Sequence, residues 1–171
     1  MAELTEAQLE LLSTHMEGSR WHIGSDPVTR INPLVQPSLA IKPKGLWYGV
    51  GSAWLEWCSD EGFEVPTTEH HLTEVTIPVS DQFLVITTLG ELDEFHNSYP
   101  VARDGTWDYP SWPDLAAQYL LGMEISPYQW ERRLDYSWYY AWDVASGVVW
   151  NGYGTTLTPR GTLGDVLRTL E

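Results

Sequence analysis

The chain predicts an α+β fold with a mainly antiparallel sheet, and three observations carry that expectation. Apolar residues recur at helical spacing near both ends and in the middle, while other short runs are β-prone. Gly, Pro, Asp and Ser punctuate those runs at short intervals, as turns and tight connections require. Hydrophobic residues make up 43% of the 171 positions, enough for a packed core in one domain spanning 1–171.

Leu4 to Glu17 reads as a first helix. Thr5 is its N-cap with Gln8 three residues on, and Leu9, Leu11, Leu12 and Met16 form its apolar stripe. Arg20 to Ser25 is a short strand ended by Ser25-Asp26-Pro27. Val28 to Ile41 carries Pro33 and Pro37 and is an irregular connection, and Gly45 to Gly49 is the second strand. Ser52 then caps a helix that stops at Gly62, with Trp54, Trp57 and Cys58 on one face. Leu72 to Val79 and Gln82 to Thr87 are strands joined by Ser80-Asp81. Leu89 to Tyr99 is a helix with Leu92, Phe95 and Tyr99 three to four apart. Val101 to Pro110 is a loop turning at Arg103-Asp104-Gly105. Pro113 to Leu121 is a helix capped by Ser111, with proline in its first turn. Met123 to Tyr128, Trp138 to Trp142 and Gly147 to Trp150 supply the late strands, and Leu163 to Leu170 a last helix.

Charge and cysteine content narrow the function classes. The chain has 24 acidic against 9 basic residues, a net charge of −15, which repels nucleic-acid phosphates over most of its surface. No apolar run approaches the ~20 residues of a membrane span. The acidic, helix-prone start lacks the order of a signal peptide, and the single cysteine, Cys58, fits a reducing compartment. The expectation is a cytoplasmic protein. Four of the nine basic residues (Arg20, Arg30, Lys42, Lys44) cluster between positions 20 and 44, where a phosphate-bearing ligand would need them. The ten tryptophans serve a core, or stacking on the rings of a ligand.

Two segments concentrate the candidate chemistry: Arg20-Trp21-His22-Ile23-Gly24-Ser25 and Lys42-Pro43-Lys44-Gly45-Leu46-Trp47-Tyr48-Gly49. Each sets a polar ring, His22 or Tyr48, in a β-prone run beside glycine, which permits close approach to the main chain. A flat, polar, nucleotide-like molecule suits such a pair. His22 is equally readable as a core histidine with both nitrogens bonded to backbone, and Asp143 as a turn residue or Asx cap. Trp47 and Tyr48, being adjacent on a strand, face opposite ways, so one of them belongs to the core. Glu124 in a strand reads as a solvated face residue. His70-His71 beside Glu69 lacks a second ligand cluster and reads as an exposed turn, so no metal site is expected. Cys58, among tryptophans on an apolar helix face, is a poor nucleophile.

The order of these pieces resembles the histidine–tyrosine–glutamate branch of the ADP-ribosyltransferase superfamily. His22 with Gly24, then Gly45-Leu46-Trp47-Tyr48, then Ser52-Ala53-Trp54, stand where that branch carries its histidine strand, tyrosine strand and following helix. Tyr119-Leu120-Leu121-Gly122-Met123-Glu124-Ile125 and Ser146-Gly147-Val148-Val149-Trp150-Asn151 are similar to its late strands, so the likeness covers about residues 20–151. The resemblance implies a split antiparallel sheet with flanking helices and NAD bound in its cleft. It implies that His22 bonds the adenosine ribose hydroxyls, that the Gly24 backbone holds the nicotinamide amide, and that Tyr48 stacks on the nicotinamide. Ser25, Lys44, Trp47, Trp54 and Ser146 complete the implied cofactor-binding set.

The family glutamate is missing, since the aligned position is Ser146. Either Asp143 supplies the charge that stabilises the departing-nicotinamide centre, leaving transfer or NAD hydrolysis in place, or Ser146 does not and NAD is bound with little turnover. Asp143 is the expectation. The implied activity is NAD-dependent mono-ADP-ribosylation of a macromolecule, a protein sooner than a nucleic acid given the negative surface. A small toxin-like effector of phage or mobile-element type would fit, with a host target or an antitoxin as partner. Two other classes compete: a non-catalytic acidic protein that mimics a polyanion to inhibit a nucleic-acid enzyme, and a sugar- or nucleotide-binding module built on tryptophans.

Overall fold

A computed structural model describes residues 3–99, 101–104 and 107–171. In chain order the elements are α1 (Glu6–Met16), β1 (Arg20–Gly24), β2 (Leu46–Val50), α2 (Ala53–Glu61), β3 (His71–Thr76), β4 (Phe83–Ile86) and α3 (Leu89–Ser98). They continue as β5 (Val101–Asp104), β6 (Trp107–Pro110), α4 (Trp112–Gln118), β7 (Gly122–Ile125), a 3-10 turn (Trp130–Arg132), α5 (Ser137–Tyr140), β8 (Ser146–Val149), β9 (Thr156–Thr162) and α6 (Leu163–Leu170). The fold is mixed α and β with mostly antiparallel pairing, as expected from the sequence. No helix among the described residues is long and apolar enough to cross a membrane.

The chain forms two compact units. The first comprises the described residues of Met1–Arg30 together with Trp47–Pro78 and Gly154–Glu171. There β1 lies antiparallel to both β2 and β3, and β3 is antiparallel to β9. Helix α1 starts where Thr5 and Gln8 form a reciprocal capping box, so two N-terminal amides are satisfied locally. Its buried stripe is Leu12 and Met16 with Leu9 beside them; Leu11 is exposed. These side chains meet Trp21, Leu55, Leu72 and the α6 residues Leu163, Val166 and Leu167 in one core. On α2 the buried face is Leu55 and Cys58, while Trp54 and Trp57 stack on each other with centroids 5.1 Å apart. Gly62 ends that helix at φ +62°, a left-handed conformation that favours glycine.

The second unit comprises Ile31–Leu46 and Val79–Tyr153. Its strand β7 pairs parallel with β4 and antiparallel with β8. Phe83, Ile86, Met123, Ile125, Val148 and Val149 bring buried side chains from these strands. Helix α3 opens with a second capping box, Thr88 and Glu91, and buries Leu92 and Phe95, the Phe95 ring edge-on to Trp138. Trp112, fully buried at the start of α4, donates its indole N–H to the Ala40 carbonyl at 2.6 Å, tying the irregular 31–45 stretch to the core.

Three expectations change, and the partners of two expected strands become defined. Val101 to Pro110 is a hairpin rather than a loop: β5 and β6 pair from Val101–Pro110 to Asp104–Trp107, and the proposed turn residue Gly105 lies outside the described residues. The strands around Ser80-Asp81 are not partners of one another, because β3 pairs with β1 and β9 while β4 pairs with β7. Trp138 to Trp142 is not a strand. Ser137–Tyr140 forms a helical turn, which turns Trp138 and Trp142, four residues apart, inward and leaves Tyr140 exposed. Strand β9 is additional, with Pro159 tolerated on a strand whose ladder here runs through β3.

Gly122 on β7 is required by close packing. A Cβ there would sit 2.4 Å from the Val148 carbonyl oxygen and 2.6 Å from the Phe83 ring. Gly90 in α3 has open space around it. Gly122→Ala should therefore cost about 1–3 kcal/mol, whereas Gly90→Ala should stabilise by about 0.5–1 kcal/mol. Denaturant midpoints at unchanged slope measure both.

Candidate functional site

In the first unit, the β1–β2 ladder places Trp21 opposite Gly49 and Arg20 opposite Val50. His22 follows on β1, half-buried, with its Nδ1 2.7 Å from the Trp47 carbonyl oxygen. A carbonyl only accepts, so Nδ1 carries the hydrogen, and in the neutral ring Nε2 keeps a lone pair. Burial pushes the His22 pKa below its ordinary 6.5, partly opposed by the Trp47 bond. At neutral pH the side chain is thus a fixed, uncharged imidazole with an acceptor at Nε2.

Gly24 is the reason that ring can lie where it does. Residues 22 and 24 share a strand face, and a Cβ at position 24 would be 2.9 Å from His22 Nε2. The glycine two residues after the histidine is therefore a steric requirement of the imidazole. Gly49 does the same for the next element, since a Cβ there would meet Trp54 Cβ at 3.0 Å and its backbone nitrogen at 3.2 Å. Of the pair expected to split between core and ligand, Tyr48 is the core member, only 3% exposed, while Trp47 is half-buried. A ligand ring reaches Tyr48 only if the groups covering it move. Ser25 lies just past β1, exposed, and donates its hydroxyl to Asp26 at 3.0 Å.

The remaining expected residues belong to the second unit. Lys44 has its backbone clamped at both polar atoms by the buried Gln36 amide, at 2.7 and 2.8 Å, which fixes the chain and leaves the lysine side chain exposed. Asp143 sits at φ +62° and forms an ion pair with Lys42 at 3.8 Å. Burial pulls the Lys42 pKa down, and Asp143 opposes that shift. Ser146, buried on β8, donates its hydroxyl to the Val144 carbonyl at 2.9 Å. That bond closes the turn after Asp143. Glu124 on β7 is a correction: it is 3% exposed, a buried carboxylate beside Val85 and Gly147 in the ladder, and not a solvated face residue. No periodicity in a short strand with buried neighbours on either side could have told these apart.

Other candidates resolve structurally. His70 accepts the Thr67 backbone N–H at Nδ1, 3.0 Å away, and so closes a turn. Among the described residues no group of three His, Cys, Asp or Glu is placed to hold a metal ion. The Cys58 thiol is buried and pushed up to about 11 by that burial, with Glu64 adding to the shift, so it is protonated and unreactive at neutral pH. The chain matches no known protein family, no curated protein and no solved structure.

Gly24→Ala should displace the His22 ring while leaving the strand formed. The measurement is the imidazole titration by NMR: the wild-type midpoint lies below 6.5, and the alanine variant's moves back toward 6.5 as the ring leaves its half-buried place.

Proposed function

We propose that this chain binds NAD against the β1–β2 strand pair and transfers its ADP-ribose to a macromolecular acceptor, a protein sooner than a nucleic acid. The observation that carries the reading is the neutral, oriented His22. Its Nδ1 is held by the Trp47 carbonyl, and its Nε2 lies over a glycine that leaves that nitrogen uncrowded. An imidazole fixed in this tautomer accepts a hydrogen bond from a ribose hydroxyl and rejects a cationic group no more than a neutral one. The finer fold assignment, an ADP-ribosyltransferase-like split sheet, belongs to the same proposal.

In the reaction the bond between nicotinamide and ribose C1′ breaks, and its electron pair leaves with nicotinamide. A nucleophile of the acceptor then forms a bond to C1′ and gives up its proton. Positive charge develops on the ribose, so turnover needs a carboxylate. The sequence resemblance alone proposes Asp143, in the second unit, for that role. It forms an ion pair with Lys42 at 3.8 Å. Without such a group NAD would still bind and turn over little.

The test has two readouts. NAD at about a hundredfold excess over Kd should raise Tm by roughly 5–10 °C, and nicotinamide should be released over time. His22→Ala should abolish most of the Tm shift. Asp143→Ala should keep the shift and lower release by about a hundredfold. A wild-type protein whose Tm ignores NAD would refute the reading.

A further inference from the structure

A carboxylate, a guanidinium and three aromatic rings fasten α3 to the connection between β7 and β8. Asp93 on α3 accepts two N–H bonds from Arg132, at 2.7 and 2.8 Å, and the Tyr136 hydroxyl at 2.6 Å. Arg132 first, then Tyr136, hold the Asp93 carboxyl down to about 2. One turn along the helix, the His96 ring lies flat on Tyr136, centroids 3.7 Å apart and planes 12° from parallel. Its Nδ1 takes the Trp138 indole N–H at 3.1 Å.

That last bond dictates a protonation state. An indole nitrogen only donates, so His96 Nδ1 must carry a lone pair and the ring's proton sits on Nε2. Trp138 is 0% exposed, so no water can take over the bond if His96 withdraws it. A proton on Nδ1 would set two donors against each other inside the core.

We propose that His96 is a proton-sensitive latch: neutral, it holds the β7–β8 connection against α3, and protonated, it releases Trp138 and loosens the segment that ends in Asp143. The groups that face it are Asp93 on its own helix, Asp108 on β6 and Tyr136 leading into α5, while Arg132 on the 3-10 turn is bonded to Asp93. Ser137 exchanges hydrogen bonds with the Asp108 backbone, so the same connection is also pinned to β6. Asp108 and Asp93 attract a proton to the ring, but burial is the larger effect and sets its pKa below 6.5. The sign follows. The unfolded chain takes up this proton near 6.5 and the fold resists it, so the contribution is complete above 6.5 and is lost as pH falls below that value. The latch stands apart from the NAD reading, since nothing in it involves a nucleotide.

The experiment uses the full chain without ligand. NMR follows the His96 imidazole and the Trp138 indole N–H from about pH 7.5 to about pH 5, beside Tm across the same range. His96→Asn provides the comparison, because its Oδ1 stands where Nδ1 stood and takes up no proton in this window. The wild type should show a His96 midpoint below 6.5 with the indole resonance moving in step. It should lose more of Tm than His96→Asn between those limits. An indole resonance indifferent to His96, or equal Tm losses in the two proteins, would overturn the latch. If His96→Asn does not fold, the wild-type titration alone decides: a midpoint at or above 6.5 overturns it too.

Discussion

Burying a tryptophan obliges a fold to find an acceptor for its indole N–H, and much of this structure follows from meeting that demand. Trp21 gives its hydrogen to the Met16 carbonyl at 2.8 Å, Trp112 to Ala40 at 2.6 Å, and Trp150 to Tyr119 at 2.9 Å. Trp138 gives its own to His96. The carbonyls belong to helix ends or to irregular chain, where backbone acceptors are left over from regular pairing. Each ring is therefore an anchor in the core and a tether for a stretch that has no ladder of its own. An unmet N–H at any of these places would cost about 1–3 kcal/mol, comparable to a sizeable share of a domain's net stability.

The start of α1 was legible because capping is local, whereas Ser52 and Ser111 stand at their helix starts without a side-chain cap bond. Thr5 with Gln8 sits four residues inside one turn, and chemistry over that distance does not depend on the rest of the fold. Gly62 as a stop is legible for the same reason. Pairing was not. Whether β4 joins the preceding or a later strand depends on loop closure across many residues, and the Ser80-Asp81 turn signal gives no information about it. Aromatic β-propensity also misled at Trp138–Trp142, where a helical turn buries Trp138 and the turn after it buries Trp142, against a preference worth only about 1 kcal/mol.

The candidate site was legible in its residues and not in its physics. His22 and Gly24 stand out as a motif, yet nothing in the letters says that the glycine exists for the imidazole. Gln36 gave no signal at all; its role as a substitute strand for Lys44 depends on a side-chain amide matching a backbone unit in geometry. The negative charge of the chain, −15, makes the placement of its few cations matter more. Lys42 is held by Asp143, and Arg132 by Asp93, so in these two places positive charge organises carboxylates of the same chain.

Cys58 has a use that its inertness creates. It is the chain's single thiol, enclosed in α2 and protonated at neutral pH. An alkylating reagent can modify it only during moments when the helix lifts from Leu55's side of the core. Its rate of modification is then a clock for breathing of the first unit, with no engineered probe and no second sulfhydryl to confuse the count.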